Sequence, residues 1–202
     1  KGRTEGGSRR RAPPASLGAA DGDSTNPVTS TWPAAEGATS YHLWRDTDAD
    51  PAGATDMGSQ SNGYADVGAA FGQQYWYWVL AEANSSVSTS DWSTVDGGYR
   101  RLATVGGLTA SYDTYNDRIA VTWADIQGET GYGIWRHDVN NSAGATCIGS
   151  VAAGTTNYDD MTATPGVELY YWVRGTNSTS SSLSDFQDNG TLGRRADPDL
   201  PI

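Results

Sequence analysis

Three carboxylates at alternate positions are the residues whose spacing most clearly suggests chemistry. The segment DTDAD carries Asp46, Asp48 and Asp50, and oxygen-rich calcium loops begin with this spacing. A calcium loop of the helix-loop-helix type would continue with Gly and close with Glu. Pro51 follows here instead, and no Glu stands at the closing position. We therefore favour a solvated loop between strands and predict no metal site.

Catalytic side chains form no recognisable motif. Neither His42 nor His137 is accompanied by a Ser or Cys nucleophile motif or by metal-ligand spacing. Because Cys147 is the single cysteine, an intramolecular disulfide and a multi-cysteine zinc site are excluded. Carboxylates are plentiful and folding could pair two of them, but no Gly-rich phosphate loop precedes a helix. We predict a protein that is not an enzyme and that needs no cofactor.

Aromatic residues are the other chemically distinctive group, with 8 Trp and 11 Tyr against 2 Phe. They concentrate in YWYWVL at 75 to 80 and in LYYWVR at 169 to 174. Apolar and aromatic residues that alternate with period two are typical of β-strands, whose successive side chains lie on opposite faces of a sheet. Half of each aromatic run therefore faces a core, and the other half faces away from it.

Internal repetition sets the domain organisation. The segment VTSTWPAAEGATSYHLWR at 28 to 45 aligns with IAVTWADIQGETGYGIWR at 119 to 136, an offset of 91. The second halves align at an offset of 94, which places Trp78 on Trp172. We predict a basic N-terminal tail, two homologous domains and a C-terminal tail, at 1 to 13, 14 to 101, 102 to 195 and 196 to 202.

Each repeat has the composition of a β-sandwich. Clusters of Gly, Asp, Asn, Ser and Pro interrupt the alternating runs about every ten residues, and no segment keeps an apolar period of 3.6. About seven short strands fit into each repeat, which is the strand number of an immunoglobulin-like sandwich. Asp66 and Asp160 recur in YADV and YDDM, and we interpret them as turn residues.

The order and spacing of these motifs resemble the fibronectin type III family, twice, over the whole chain except its tails. Trp32 and Trp123 stand where the second strand of that family ends, and Tyr41 and Tyr132 stand where the third begins. The turn motifs FGQQY and PGVEL then precede the two aromatic strands. The resemblance implies an all-β fold of two immunoglobulin-like, fibronectin type III-like β-sandwiches in tandem.

The family pattern implies which side chains of the aromatic strands face the core. These residues are Tyr75, Tyr77, Val79 and Ala81 in the first copy, and Leu169, Tyr171, Val173 and Gly175 in the second. The residues between them face outward and join one tryptophan of the neighbouring third strand in a patch on each domain. The outward patches are Trp44, Trp76 and Trp78 in the first domain and Trp135, Tyr170 and Trp172 in the second.

The two copies depart from the family pattern at one position each. Tyr75 stands where the family has its corner tyrosine, so the resemblance implies that its hydroxyl bonds back to the backbone. Its counterpart Leu169 cannot make that bond. Ser30 occupies an inward position at which the second copy has Val121. Either departure lowers the stability of its domain by about 1 to 3 kcal/mol.

Three interpretations of the outward patches remain open. The rings could pair across strands and stiffen the sheet, they could be buried against another domain or subunit, or they could stack on a polysaccharide. The net charge of -11 limits other partners, because an acidic body repels phosphates and so excludes nucleic acid as the main partner. No run reaches the roughly 18 apolar residues of a membrane span.

The basic N-terminal tail suggests self-assembly. We expect Arg9, Arg10 and Arg11 of one copy to lie on the acidic body of another. The sequence therefore predicts a non-enzymatic structural or adhesive protein, a filament subunit or stalk, outside the cell or on a bacterial surface. The alternative is a carbohydrate-binding or spacer module of a larger secreted enzyme. The sequons at Asn84, Asn140, Asn177 and Asn189 leave glycosylation open.

Overall fold

The computed structural model of the chain describes residues 11–22, 25–83 and 89–198. The chain divides between Arg100 and Arg101 into two compact units, which we call domain 1 and domain 2. The strands of domain 1 are β1 (Gly18–Ala19), β2 (Val28–Thr31), β3 (Ser40–Asp46), β4 (Thr55–Ser59), β5 (Tyr64–Asp66), β6 (Gln74–Glu82) and β7 (Asp96–Tyr99). The strands of domain 2 are β8 (Thr109–Ala110), β9 (Ile119–Thr122), β10 (Gly131–His137), β11 (Thr146–Ala152), β12 (Asn157–Asp160), β13 (Glu168–Asn177), β14 (Ser182–Leu183) and β15 (Thr191–Arg194).

Each domain is a sandwich of two antiparallel sheets. In domain 1 the strand orders are β1-β2-β5 and β4-β3-β6-β7. In domain 2 they are β8-β9-β12 and β11-β10-β13, with β14 and β15 both pairing along β13. The prediction of an all-β fold with two tandem sandwiches is confirmed. A single helical turn of the 3-10 type, Ser142–Gly144, leads into β11.

The core of each sandwich contains the side chains that the alternating pattern placed inward. Tyr77, Val79, Tyr171 and Val173 are all completely buried, because strands β6 and β13 lie in the middle of their sheets. Other buried residues of domain 1 are Leu17, Val28, Trp32, Leu43 and Ala69. Those of domain 2 are Val105, Ile119, Val121, Trp123, Tyr132, Ile134, Ala163 and Leu169.

The two departures from the family pattern have visible consequences. Tyr75 packs against the core from its edge, and its hydroxyl accepts a long hydrogen bond of 3.5 Å from the backbone N–H of Ala70. Leu169 makes no such bond and instead adds an aliphatic side chain to the core of domain 2. Ser30 is completely buried, and its Oγ has no hydrogen-bond partner within the described chain. A buried hydroxyl without a partner is a local weakness of domain 1.

Candidate interaction surface

Strand pairing brings the predicted patch residues of domain 1 together. Trp44 on β3 lies opposite Trp78 on β6, and Trp76 lies two residues along the same strand. The ring of Trp44 packs against the ring of Trp92 in a T-shaped contact, with a centroid distance of 5.4 Å and an interplanar angle of 86°. Trp78 is 3% exposed. The outward face of this sheet is therefore covered in part by its own chain.

Two serines hold the segment that carries Trp92 against β6. Ser90 donates its backbone N–H to the carbonyl of Ala81, and its Oγ accepts from the N–H of Ala81, both at 2.9 Å. Ser93 repeats both bonds with Val79, at 3.1 and 3.0 Å. Because each serine supplies the donor and the acceptor that a paired strand would supply, the edge of β6 is satisfied while Trp92 bulges toward Trp44.

Domain 2 closes its patch with Phe186 in place of Trp92. The rings of Trp135 and Phe186 meet edge to face at a centroid distance of 5.1 Å. The guanidinium of Arg174 lies 4.6 Å from the centre of the Phe186 ring. Ser184 makes the two backbone bonds of Ser90, here with Gly175, at 2.9 and 3.0 Å. We call the ring pairs Trp44–Trp92 and Trp135–Phe186 the aromatic seams. The two domains have equivalent seams, with Phe186 in the place of Trp92.

The structure bears on the three interpretations that the sequence left open for the six patch residues. Trp78 and Trp172 point away from the core, as alternation requires, yet Trp78 is 3% exposed and Trp172 is completely buried. The remaining four, namely Trp44, Trp76, Trp135 and Tyr170, are partly buried. A period-two pattern does not reveal the burial of Trp78 and Trp172. It also does not place the segments SDWS and SDFQ, whose rings contact Trp44 and Trp135.

A buried aspartate links the two sheets of each domain, and sequence reasoning missed it. Asp66 on β5 accepts hydrogen bonds from Arg45 on β3 at 2.7 Å and from the hydroxyl of Tyr77 on β6 at 3.0 Å. Its other oxygen accepts from the N–H of Gly68, which closes the turn that we had predicted. Because β5 belongs to one sheet and β3 and β6 to the other, the three side chains form a clamp across the sandwich.

Domain 2 repeats the clamp with the same residue types. Asp160 on β12 accepts from Arg136 on β10 at 2.6 Å and from the Tyr171 hydroxyl on β13 at 2.8 Å. The two aspartates are each 1% exposed. A signal was present in the sequence, since the repeat preserves Arg, Asp and Tyr at all three positions. We call these triads the Arg-Asp-Tyr clamps.

The electrostatics of the clamps favour the charged form of Asp160 and the protonated forms of Tyr77 and Tyr171. Burial opposes ionisation of Asp160, but hydrogen bonds from Thr162, Tyr171 and Arg136 outweigh it and lower the pKa of this carboxyl. Burial, followed by the effect of the adjacent carboxylate, raises the pKa of the Tyr171 hydroxyl above its usual range, and the pKa of Tyr77 is raised in the same way. The tyrosines therefore stay protonated and donate to their aspartates.

The acidic segment at 46 to 50 and the described part of the basic tail make local contacts. In the acidic segment, Asp48 accepts from the N–H of Asp50 and Asp50 from that of Ala52, both at 2.9 Å, so these carboxylates close turns within their own loop. Within the described residues, no group of three or more His, Cys, Asp or Glu side chains has the geometry of a metal site. Arg9 and Arg10 lie outside the described residues, whereas Arg11 donates to the carbonyl of Glu36 at 3.4 Å.

The sequons differ in their surroundings. Asn177 is buried, and its Nδ2 donates to the carbonyl of Gly128 at 2.6 Å, so its amide is engaged in the folded domain. Asn140 and Asn189 are exposed and hydrogen-bond to each other at 3.3 Å. Asn84 lies outside the described residues. Across the part of the chain that the structure describes, no helix has the length and apolar character needed to cross a membrane.

Comparison with known structures identifies the class of fold. A two-domain fibronectin type III segment of chicken tenascin matches with a TM-score of 0.63 at 18% identity, over 89% of this chain and 98% of that segment. The FN1–FN3 domains of chicken CNTN1 match with a TM-score of 0.40 at 14% identity, over 92% and 69%. An Fn3-like protein from Clostridium thermocellum matches with a TM-score of 0.39 at 22% identity, over 50% and 96%.

These likenesses concern structure, since no protein-family model and no curated protein sequence matches the chain. The strand order, the two cores and the match to the tenascin segment agree with the resemblance read from the sequence. Each of the two domains in tandem therefore has a fibronectin type III-like fold.

Proposed function

We propose that the chain is a non-enzymatic structural or adhesive module that works outside the cell, as part of a filament or a surface stalk. The observation that carries this proposal is the pair of Arg-Asp-Tyr clamps. Both domains keep the same Arg, Asp and Tyr residues at the clamp positions. These contacts hold the two sheets of each sandwich together, which a module that keeps its shape under load requires. The aromatic seams add cross-strand ring pairs, which contribute about 0.2 to 1 kcal/mol each.

Charge supports assembly of several copies. Residues 1 to 15 carry a net charge of +4 and the remainder carries -15, so the tail of one copy is attracted to the body of another. The interaction we propose is head to tail, which builds open filaments when the rotation between copies does not close. Arg9 and Arg10 supply the charge, together with Arg11.

Electron microscopy of the purified chain tests the assembly directly. We expect oligomers or filaments at low salt that dissociate as salt is raised, because screening weakens contacts between exposed charges. A variant with Arg9, Arg10 and Arg11 all changed to Ala should form fewer of them. A control variant in which Arg118, a partly buried arginine of domain 2, is changed to Ala should assemble normally. Single particles at every salt concentration would contradict the proposal.

The alternative function is carbohydrate binding, and the partial exposure of Trp76 and Tyr170 favours it. A ring that is open on one side can stack on a sugar. Co-sedimentation with insoluble polysaccharides tests this alternative, with the Trp76→Ala variant as comparison. Binding that Trp76→Ala abolishes would support a carbohydrate-binding module. Equal retention of both proteins would exclude Trp76 as its platform.

A further inference from the structure

The two domains differ at the outer edge of their larger sheets. Strand β4 in domain 1 and strand β11 in domain 2 occupy equivalent places, and each pairs with a single neighbour among the described residues. An edge strand exposes unpaired backbone groups, and proteins normally protect such edges with charged residues, prolines, bulges or short strands. The two edge strands differ in how many of these protections they have.

Strand β4 carries several of these protections. It has five residues, and Gly58 adopts a left-handed φ of +79°. Asp56 is exposed and lies opposite Trp44, where it faces His42 at 3.3 Å. A carboxylate within an edge strand opposes approach by a second acidic chain.

Strand β11 lacks these protections apart from one irregularity in register. It has seven residues, and the position equivalent to Asp56 is Cys147, which lies opposite Trp135 and is exposed. Although 18% of the whole chain is charged, the segment from Val139 to Tyr158 contains no charged residue and no proline. The ring of Tyr158 fills the space beside Gly149, and its hydroxyl donates to the carbonyl of Ile148 at 3.0 Å. Strand β11 therefore packs against Tyr158 of β12, and it carries no charged side chain.

We propose that β11 pairs antiparallel with β11 of a second copy of this chain, joining the two larger sheets into one. Apart from the N-terminal tail, the chain is acidic, so most contacts between two copies would be repulsive. Pairing through β11 suits two copies because it places no like charges opposite each other. The exposed side chains of β11 are small, which allows two backbones to approach to strand-pairing distance. These residues are Thr146, Cys147, Ser150 and Ala152.

This inference deepens the proposed function, because it names a contact between copies and rests on their association. It differs from the tail contact in its salt dependence. Backbone hydrogen bonds between neutral strands survive salt that screens the contact between the tail and the acidic body. A strand pair alone buries little area, so the dimer is weak and depends on concentration.

Sedimentation equilibrium of the full chain at high salt with a reducing agent tests the pairing. The reductant prevents a disulfide between Cys147 residues from forming the link. Cys147→Asp transfers the protection of β4 to β11, and Ser59→Asp places the same charge at an exposed position of β4. We expect the wild type and Ser59→Asp to form the same dimer, and Cys147→Asp to associate at least tenfold more weakly with an unchanged circular dichroism spectrum.

The outcomes separate this contact from the tail contact. The variant with Arg9, Arg10 and Arg11 changed to Ala should keep the high-salt dimer and lose the low-salt assemblies. A wild type that forms the high-salt dimer but no low-salt assemblies would contradict the proposed function and leave the β11 contact standing. A high-salt dimer that Cys147→Asp leaves intact would overturn pairing through β11. A wild type that stays monomeric at the highest soluble concentration would overturn it as well.

Discussion

Domains 1 and 2 share their interior bracing and differ at their edges. Arg45, Asp66 and Tyr77 have exact counterparts in type and contact in domain 2, whereas Asp56 on the edge of domain 1 is replaced by Cys147. The clamp is constrained because a buried carboxylate must keep all of its partners. An exposed edge position has no such constraint and is free to acquire a separate function in each copy.

Removal of a clamp aspartate should have the largest effect on this comparison. Asp160→Ala removes the buried carboxylate that accepts from Arg136 and from the Tyr171 hydroxyl, so we expect the free energy of unfolding of domain 2 to fall by about 3 kcal/mol. Asp66→Ala should do the same to domain 1. Urea denaturation measures both. Asp159→Ala is the matched control, because Asp159 is exposed and its ion pair with Arg118 is 3.5 Å long. An equal loss in the control would contradict a special contribution of the clamp.

Removal of a covering ring should have the next largest effect. Trp92→Ala and Phe186→Ala each uncover a tryptophan of the neighbouring strand, and we expect each to cost its domain about 2 kcal/mol. Near-ultraviolet circular dichroism and thermal unfolding report the loss. Val67→Ala, at a residue that is 73% exposed, serves as the control and should change neither signal. If Trp92→Ala were as stable as wild type, the seam would not brace domain 1.

Correction of the weak point in domain 1 should have a smaller and opposite effect. Ser30→Val removes a buried hydroxyl without a partner and supplies the side chain that domain 2 has at Val121. We expect a gain of about 1 kcal/mol, because the variant loses an unsatisfied buried hydroxyl and gains apolar volume. Chemical denaturation should then show domain 1 unfolding at higher urea. Ser30→Ala separates the two causes, because it removes the hydroxyl without adding volume. A loss of stability in both variants would show that Ser30 is satisfied in solution.

Acid should weaken the clamp of domain 2, with the smallest effect. Folding lowers the pKa of Asp160. The stabilisation that the ionised Asp160 contributes is therefore complete above about pH 4, the ordinary aspartate pKa, and it is lost as the pH falls through the lower pKa of the folded state. We expect the difference in unfolding free energy between wild type and Asp160→Asn to shrink between about pH 5 and pH 2. A difference independent of pH would mean that the folded and unfolded pKa values of Asp160 are equal.

Much of the fold follows from the sequence because its patterns are local. Alternation in β6 and β13 placed Tyr77 and Tyr171 in the core, and the repeat located two sandwiches. The clamps and seams were harder to predict because their members are distant in sequence: Asp160 is 24 residues from Arg136. The contact between Trp92 and Trp44 depends on how the segment that carries Trp92 folds back onto β6, and a period-two pattern carries no information about that.

Solvent access to the tryptophans tests the central claim most directly, namely that the aromatic strands brace each domain. Hydroxyl-radical footprinting of the dilute chain, read by mass spectrometry, compares Trp78 and Trp172 with Trp92, which is 37% exposed. Our account predicts rapid oxidation of Trp92 and protection of both Trp78 and Trp172 in single molecules. Oxidation of Trp78 and Trp172 as fast as that of Trp92 would contradict our account. Both rings would then be solvent-accessible and candidates for binding a partner.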